Sequence, residues 1–185
     1  MLKSGRIVSG SSTEGDHWRV HFELSDDGGH TWRKVGPVNN PHGYEAIQPT
    51  ILKHRNGALQ ALCRTKDAFV GTTWSYDDGE TWSDLELIEG LPQNQSGLDA
   101  VTLRDGSFAL VYNNVGPHPG TTKGPRTPLS VALSKDGLHW KNIVTLEDCP
   151  LSQYSYPAII QDKDGNLDVV YTWRRTRVKY VKVDY

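Results

Sequence analysis

The chain has 185 residues, enough for one domain with a sizeable hydrophobic core. Apolar residues make up 36%, whereas Gly (18) and Pro (10) are frequent, a composition typical of a turn-rich β protein. A formal net charge of −2 argues against a nucleic-acid binder, and no apolar run approaches the length of a membrane span, so we expect neither nucleic acid nor a membrane as partner.

Three features bear on the compartment and leave it open. The first residues lack the apolar core of a signal peptide, so we expect a cytoplasmic protein if the chain is complete. Only Cys63 and Cys149 are present, which excludes a disulfide framework but permits a single bridge. The triplet Asn94-Gln95-Ser96 is a glycosylation sequon, a pattern that often arises by chance.

Four units follow one another along the chain. The first, at about residues 6–40, contains WRVHFELS followed by SDDGGHTW. The second, at about 48–90, runs from QPTILKHRNGALQALCRT through FVGTTWS to SYDDGETW. The third, at about 97–148, runs from GLDAVTLRDGSFALVYNN through the insertion VGPHPGTTKGPRT and PLSVALS to SKDGLHW. The fourth, at about 156–185, begins with YPAIIQDKDGNLDVVYTW.

These units predict an all-β propeller. Short apolar runs alternate with polar turns that end in Gly, and no segment sustains helical periodicity. Four-stranded repeats of about 40–50 residues are typical of propeller blades. We expect one domain over residues 1–185 with about three blades: strands three and four of one blade, two whole blades and the first strands of another. Because closed propellers need about four to eight blades, we expect a homodimer or a partner that supplies the missing blades, unless the chain is a fragment.

The repeated segment Ser-x-Asp-x-Gly-x-Thr-Trp is predicted to be structural. Its Asp can accept hydrogen bonds from the backbone of its own turn, its Gly permits the tight turn, and its Trp can fill the space between strands. The motif pairs no nucleophile with a base, and the spacing of an EF-hand calcium loop is absent. The residues concerned are Asp27 and Trp32, Asp77 and Trp82, and, in a degraded third copy, Asp136 and Trp140.

These Asp boxes in a four-stranded repeat resemble the sialidase (neuraminidase) superfamily of six-bladed propellers, in particular its BNR-repeat branch. The segments IQPTILKHRNGALQALCRT, SGLDAVTLRDG and YSYPAIIQDKDGNLDVVYTWRR also resemble that branch, so nearly the whole chain resembles the C-terminal half of such a propeller. The resemblance implies a glycoside hydrolase that holds the carboxylate of a terminal acidic sugar with arginines. It also implies a tyrosine nucleophile activated by a glutamate, and an aspartate as acid/base.

The resemblance implies substrate-binding roles for several residues. Arg64, seven residues after the turn glycine Gly57, matches the family's second arginine, and Arg126 matches the third, although each could be a solvated rim cation. Asp99 lies on a predicted inner strand, where it could line the centre or cap a turn. His118, in the insertion, could reach a sugar or be a surface histidine.

Two tyrosines are candidates for the nucleophile. Tyr154 begins a Tyr-Ser dipeptide like that of the family. Tyr156, nine residues before the turn glycine Gly165, lies at the depth expected on the inner strand and is the preferred candidate. A one-residue change of register would turn either side chain to the opposite face, so the sequence leaves the choice open.

The glutamate position does not match the family. The residue nine positions before Gly57 is Gln48, which cannot act as a general base and is assigned to substrate binding. Glu45 and Glu14 are the candidate substitutes, and either could be a surface acid. The family's first arginine and its acid/base aspartate belong to N-terminal blades that this chain lacks.

Three functions therefore stay open. The first is a sialidase-like glycoside hydrolase, which predicts that Arg64, Arg126 and Tyr156 converge at one end of the propeller axis. The second is a propeller that binds an acidic glycan or small sugar without turnover, favoured by Gln48 and by the missing aspartate. The third is a structural half-propeller that assembles with another chain. No cofactor motif and no paired metal-ligand spacing occurs, so we expect neither.

Overall fold

The computed structural model describes residues 1–185 and contains 14 β-strands in four antiparallel sheets. No helix is present, and so no helix that could cross a membrane. Within each sheet the strands pair in chain order, so every sheet is a simple meander. The prediction of an all-β propeller is confirmed.

The sheets follow one another along the chain. The first contains β1 (Ile7–Glu14), β2 (Trp18–Ser25) and β3 (Arg33–Val35). The second contains β4 (Ala46–Lys53), β5 (Leu59–Thr65), β6 (Phe69–Ser75) and β7 (Glu86–Pro92). The third contains β8 (Asp99–Thr102), β9 (Phe108–Tyr112), β10 (Leu129–Ser134) and β11 (Trp140–Glu147). The fourth contains β12 (Tyr154–Gln161), β13 (Leu167–Trp173) and β14 (Arg177–Val183).

The first sheet has one strand more than the sequence analysis counted. Strand β1 pairs with β2 along its whole length, from Ile7 opposite Ser25 to Glu14 opposite Trp18. Its sequence, IVSGSSTE, is rich in Ser and Gly, which have weak strand preference and show no apolar alternation. The pairing partner, rather than the local sequence, makes this segment a strand.

Neighbouring sheets pack face to face through three buried clusters. Phe22 and Leu85 belong to the cluster that includes residues of the first and second sheets. Leu62 and Phe108 belong to the cluster between the second and third sheets. Val169 belongs to the cluster between the third and fourth sheets. Each fully buried apolar side chain of this size contributes about 1.5–3 kcal/mol, so these clusters fix the angular order of the sheets.

Hydrogen bonds within each Asp box close the turn before the last strand of its sheet. In the second box, Asp77 accepts the backbone N–H of Thr81 (2.9 Å) and the hydroxyls of Thr81 (2.6 Å) and Ser75 (2.9 Å). The indole of Trp82 donates to the carbonyl of Gly79 (3.0 Å). The other two boxes are built in a similar way, around Asp27 and Trp32 and around Asp136 and Trp140.

The three box tryptophans differ in what packs against them. Trp82 stacks on Phe22 of the preceding sheet, with ring centroids 3.5 Å apart. Trp140 packs against the cluster between the second and third sheets. Trp32 has no preceding sheet to contact and is 47% exposed. The same motif therefore joins two sheets in two of its three copies.

The cysteines are unpaired and the sequon is buried. Cys63 and Cys149 are both free, so the permitted bridge is not formed. Cys63 is fully buried, and this burial raises the pKa of its thiol to about 12. Asn94 and Ser96 of the sequon are only 2% and 1% exposed.

Candidate functional site

The candidate site begins at two bulges on the innermost strands. Gln48 on β4 and Tyr156 on β12 stand at the same position, nine residues before the turn glycine of their sheets. Both have a left-handed backbone, with φ of 54° and 51°, and both lie where the pairing with the next strand shifts register. Because a bulge re-aims a side chain, both residues are exposed although the residue before each of them is buried.

Gly97 occupies the corresponding position of the third sheet, just before β8. A Cβ on Gly97 would lie 3.3 Å from Cδ1 of Tyr156 and 3.6 Å from Oε1 of Gln48. Because Gly97 has no side chain, Gln48 and Tyr156 approach each other over this position of the third sheet. Gly97 was not among the predicted site residues, although it lies nine residues before the turn glycine Gly106, as Gln48 and Tyr156 do before theirs.

Two arginines complete the cluster. Arg64, near the end of β5, donates from Nη1 to Oε1 of Gln48 (3.2 Å), and its Cζ lies 5.0 Å from the ring centroid of Trp18. Arg126, in the loop before β10, has its Cζ 5.3 Å from the ring centroid of Tyr156. Three residues that the sequence analysis expected to converge are thus in one place.

The electrostatics of the cluster favour an anion. The Arg126 guanidinium holds the pKa of the Tyr156 phenol below its ordinary value, and Arg64 acts in the same direction. Burial lowers the pKa of Arg64, and its Nε atom is buried without a protein partner. A partly desolvated guanidinium with a free donor attracts a carboxylate strongly, because a low local dielectric weakens charge interactions less than water does.

Hydrogen bonds to two neighbouring segments fix the loop that contains Arg126. Asn94, at the end of the second sheet, donates from its side chain to the carbonyl of Pro125 and accepts the N–H of Gly124 at its own carbonyl (3.1 Å). The backbone N–H of Tyr154 donates to the carbonyl of Arg126 (2.8 Å). These backbone contacts position the guanidinium through a loop that has no regular structure of its own.

The two candidate glutamates, Glu45 and Glu14, lie in different surroundings. Glu45 is paired with Lys66 and with Nδ1 of His17 (3.0 Å), and these partners, Lys66 first, hold the pKa of its carboxyl below the ordinary value. Glu14 is exposed at the end of β1, and its charge only partly opposes the lowering of the pKa of Arg64 by burial. Neither carboxylate makes a hydrogen bond to the tyrosine of the cluster.

Tyr154 and Asp99 are placed inside the scaffold. The Tyr154 ring is fully buried and lies edge-on to Tyr171, with centroids 6.5 Å apart. Asp99 accepts the hydroxyl of Thr50 (2.9 Å) and the backbone N–H of Ile159 (2.9 Å), so it joins the three inner strands. Burial raises the pKa of Asp99, although these two hydrogen bonds oppose the shift.

A cavity of about 880 Å³ lies beside the cluster. His118 is exposed in the insertion and is not on the cavity wall. No group of three or more His, Cys, Asp or Glu side chains is arranged to hold a metal ion. The wall contains both predicted arginines, no Asp or Glu, and several residues that the sequence analysis did not select: Trp18, Lys66, Asn94, Gln95, Lys123 and Arg175.

Comparisons with known proteins agree with this fold. The family described as "BNR repeat-like domain" matches residues 1–169. An anhydrosialidase from Macrobdella decora is 25% identical over 187 residues, which cover 93% of this chain and 24% of that protein. The chain therefore spans about a quarter of the length of this curated relative.

Solved structures show the same fold. The NanB sialidase of Streptococcus pneumoniae superposes with a TM-score of 0.74 at 20% identity, over 98% of this chain and 29% of that one. A leech intramolecular trans-sialidase, solved with 2,7-anhydro-Neu5Ac, gives 0.75 at 21% identity, over 97% and 29%. The intramolecular trans-sialidase of Ruminococcus gnavus gives 0.76 at 20% identity, over 97% and 40%.

The family match covers most of the chain, and the structural likeness extends over nearly all of it. The chain belongs to the BNR repeat-like domain family, as a sialidase-like member of that superfamily.

Proposed function

We propose that this chain provides the tyrosine and two arginines of a glycoside hydrolase site that acts on a terminal acidic sugar. The observation that carries the proposal is the contact of Tyr156 with the Arg126 guanidinium, with Arg64 bonded to the neighbouring Gln48, beside a cavity without carboxylates. Membership in a sialidase-like family supports the class of reaction. Because the chain spans only part of its relatives, the proposal concerns the site as it exists in the assembled protein.

In the proposed reaction the arginines bind the sugar carboxylate and Tyr156 attacks the anomeric carbon. Tyr156 first releases its phenol proton to solvent. The bond from the phenolate oxygen to the anomeric carbon then forms while the bond to the leaving oxygen breaks, and the departing alkoxide takes up a proton from water. The two guanidinium groups stabilise the phenolate, which offsets the lack of a general base at Gln48. Water then displaces the tyrosine and releases the sugar.

An activated aryl glycoside of an acidic sugar tests this proposal directly, because its leaving group departs without a general acid. We expect Tyr156→Phe to lower kcat by at least about 1,000-fold, whereas Tyr154→Phe, at the alternative tyrosine, keeps most of the activity. A fluorinated acidic sugar that traps the glycosyl intermediate should label the peptide that contains Tyr156. Label on another residue, or an active Tyr156→Phe variant, would overturn the assignment.

A second candidate function is binding without turnover. Gln48 favours it, since an amide stands where the family resemblance implies a general base. In that case calorimetry would show an acidic sugar bound by the wild-type chain with no product formed. Arg64→Gln would weaken this binding, whereas Tyr156→Phe would leave it within about twofold.

We further propose that a second copy of this chain covers the open face of the fourth sheet. This sheet has three strands where the second and third have four, and its outer face carries exposed apolar side chains. The expected result is a dimer mass in light scattering, shifted towards monomer by Val178→Lys. A wild-type monomer at high concentration would overturn the proposal, and a complex with a different chain would identify another occupant. The apolar residues are Ile160, Val170, Val178 and Tyr180.

A further inference from the structure

We propose that the cavity beside Tyr156 has a subsite for a second anionic group, formed by Lys123 and Arg175. Its ligand would then be an acidic oligosaccharide in which two neighbouring sugars each carry a negative charge. This inference rests on the proposed function, because the first anion is the one that Arg64 and Arg126 would hold.

The cavity wall has more positive charge than one sugar carboxylate can balance. Five cationic residues and no acid lie on its wall, in a chain whose formal net charge is −2. Lys66 is neutralised by its ion pair with Glu45. The other four make no ion pair with any carboxylate of the chain, and one sugar carboxylate can occupy only the two that flank Tyr156. Two cations on the same wall are therefore left without a counter-charge: Lys123 and Arg175.

The backbone conformation at Arg175 also supports the subsite. The hairpin between β13 and β14 places Arg174 and Arg175 in left-handed conformation, with φ of 52° and 56°. Two successive left-handed residues in a hairpin turn are usually Asn-Gly or Asp-Gly, because longer side chains are strained there. Arg174 stacks on Trp173, with Cζ 4.2 Å from the ring centroid, while Arg175 lies on the cavity wall. The turn thus has an arginine on the cavity wall at a position where its backbone conformation is sterically unfavourable.

Lys123 is held by the insertion rather than by a regular strand. Its carbonyl accepts the N–H of His118 (2.9 Å) and the hydroxyl of Thr121 (2.8 Å). The next residue, Gly124, is bonded to the carbonyl of Asn94 (3.1 Å). The loop is therefore anchored on both sides of Lys123, whose side chain remains exposed for a ligand.

The uncharged part of the wall fits a sugar. Asn94 is 2% exposed and lies on the wall, yet its Oδ1 atom has no hydrogen-bond partner. A buried acceptor without a partner costs free energy unless a ligand satisfies it, and a sugar hydroxyl can do so. Only two of the 15 wall residues are hydrophobic, which favours a hydroxyl-rich ligand over an aromatic one. The volume of about 880 Å³ falls in the upper part of the range for small-molecule sites, about 300–1,000 Å³.

Calorimetry with two probes tests the subsite. The first probe is N-acetylneuraminic acid, with one carboxylate, and the second is a disaccharide of two such sugars, with two carboxylates. We expect the disaccharide to bind the wild-type protein at least tenfold more tightly at low salt, with the advantage shrinking as the salt concentration rises. The double variant Lys123→Gln, Arg175→Gln should reduce the advantage to below threefold and leave the affinity for the single sugar within twofold.

Arg177→Gln is the matched control, since Arg177 belongs to the same hairpin and stacks on Trp173 (4.8 Å) but is not on the cavity wall. It should preserve the tenfold advantage, and all variants should keep the wild-type melting temperature. If the single sugar binds through Arg64 but the disaccharide binds no more tightly, the subsite is wrong and the proposed function stands. If neither sugar binds and Arg64→Gln has no effect, the proposed function itself fails.

A disaccharide with a sulfate in place of the second carboxylate distinguishes the two kinds of anion. Equal affinity for both would indicate a subsite that recognises charge, as Lys123 predicts. A preference for the carboxylate would assign the selectivity to the planar guanidinium of Arg175. Loss of all advantage with both anions would overturn the subsite.

Discussion

The guanidinium of Arg126 lies against the ring of Tyr156, with Cζ 5.3 Å from the ring centroid. The contact joins a loop of the third sheet to a bulge on the first strand of the fourth, so it forms only when the two sheets pack side by side. Two residues earlier, Tyr154 is fully buried between the same sheets. The bulge between Ser155 and Ala158 is therefore what separates a structural tyrosine from a candidate reactive one.

The pKa of Tyr156 can be measured by the ultraviolet absorbance of its phenolate. Because the neighbouring guanidinium groups lower this pKa, we expect one tyrosine to ionise below the ordinary range. Arg126→Gln should move that step to higher pH, and Tyr156→Phe should abolish it. The buried Tyr112 and Tyr171 do not interfere, since burial raises their pKa values.

If the phenolate is the attacking form, kcat/KM rises with pH through the pKa of Tyr156 in the free protein and levels off above it. The rise should shift to higher pH in Arg126→Gln by the same amount as the absorbance step. A pH profile that stays in place while the absorbance step moves would show that another group controls the rate.

Gln48→Glu should restore a base beside the tyrosine. The new carboxylate would stand 3.2 Å from Nη1 of Arg64 and close to Tyr156, so it could accept the phenol proton. General base catalysis contributes about 100-fold or more, so we expect a rise of this order in kcat. Binding of the acidic sugar should weaken, because the same carboxylate pairs with Arg64.

Gln153→Glu is the control for added charge, since Gln153 also lines the cavity. It should weaken binding without raising kcat. A Gln48→Glu variant with unchanged kcat would contradict the view that this position controls the proton of Tyr156.

Gly124→Ala should displace the loop that carries Arg126. A Cβ at Gly124 would clash with the carbonyl oxygen of Gly116 and lie 2.9 Å from Cβ of Asn94, so the backbone would have to move. We expect at least a tenfold loss of affinity for an acidic sugar. Gly116→Ala adds its Cβ to open space and should stay within twofold of the wild type, so equal losses in both variants would refute the steric explanation.

Trp82→Ala and Trp32→Ala compare one motif in two environments. Trp82 stacks on Phe22, so its loss leaves a cavity between two sheets and should cost about 3 kcal/mol of unfolding free energy. Trp32 is half exposed and its loss should cost about 1 kcal/mol. Denaturant titration gives both values. A cost at Trp32 as large as that at Trp82 would mean that a further sheet covers Trp32 in solution.

The local sequence was sufficient for most of the strands and turns, because their signals are short-range. Each Asp box satisfies its Asp within its own turn, and each hairpin is marked by its turn glycine. Strand β1 was missed because its Ser-rich sequence has no apolar alternation, and its partner β2 makes it a strand. The spacing from the turn glycines also located Gln48 and Tyr156 correctly on the inner strands.

The cavity wall was less accessible to sequence reasoning, since it combines residues from loops of different sheets. Lys66 lies just beyond β5, two residues after Arg64, and extending the strand alternation by one residue would have indicated it. Asn94, Lys123 and Arg175 belong to loops with no periodicity, so nothing in the sequence indicates that they face one space.

By itself, then, the sequence determined the repeated four-stranded unit, the family resemblance and the depth of Tyr156 on its strand, because period, turn chemistry and strand register are local properties. Only the tertiary structure decided that Tyr156 is exposed and Tyr154 buried, that Asp99 joins three strands, and that the cavity wall contains no acid. These outcomes depend on the bulges and on the packing of sheets, which bring side chains from distant loops to within a few ångströms.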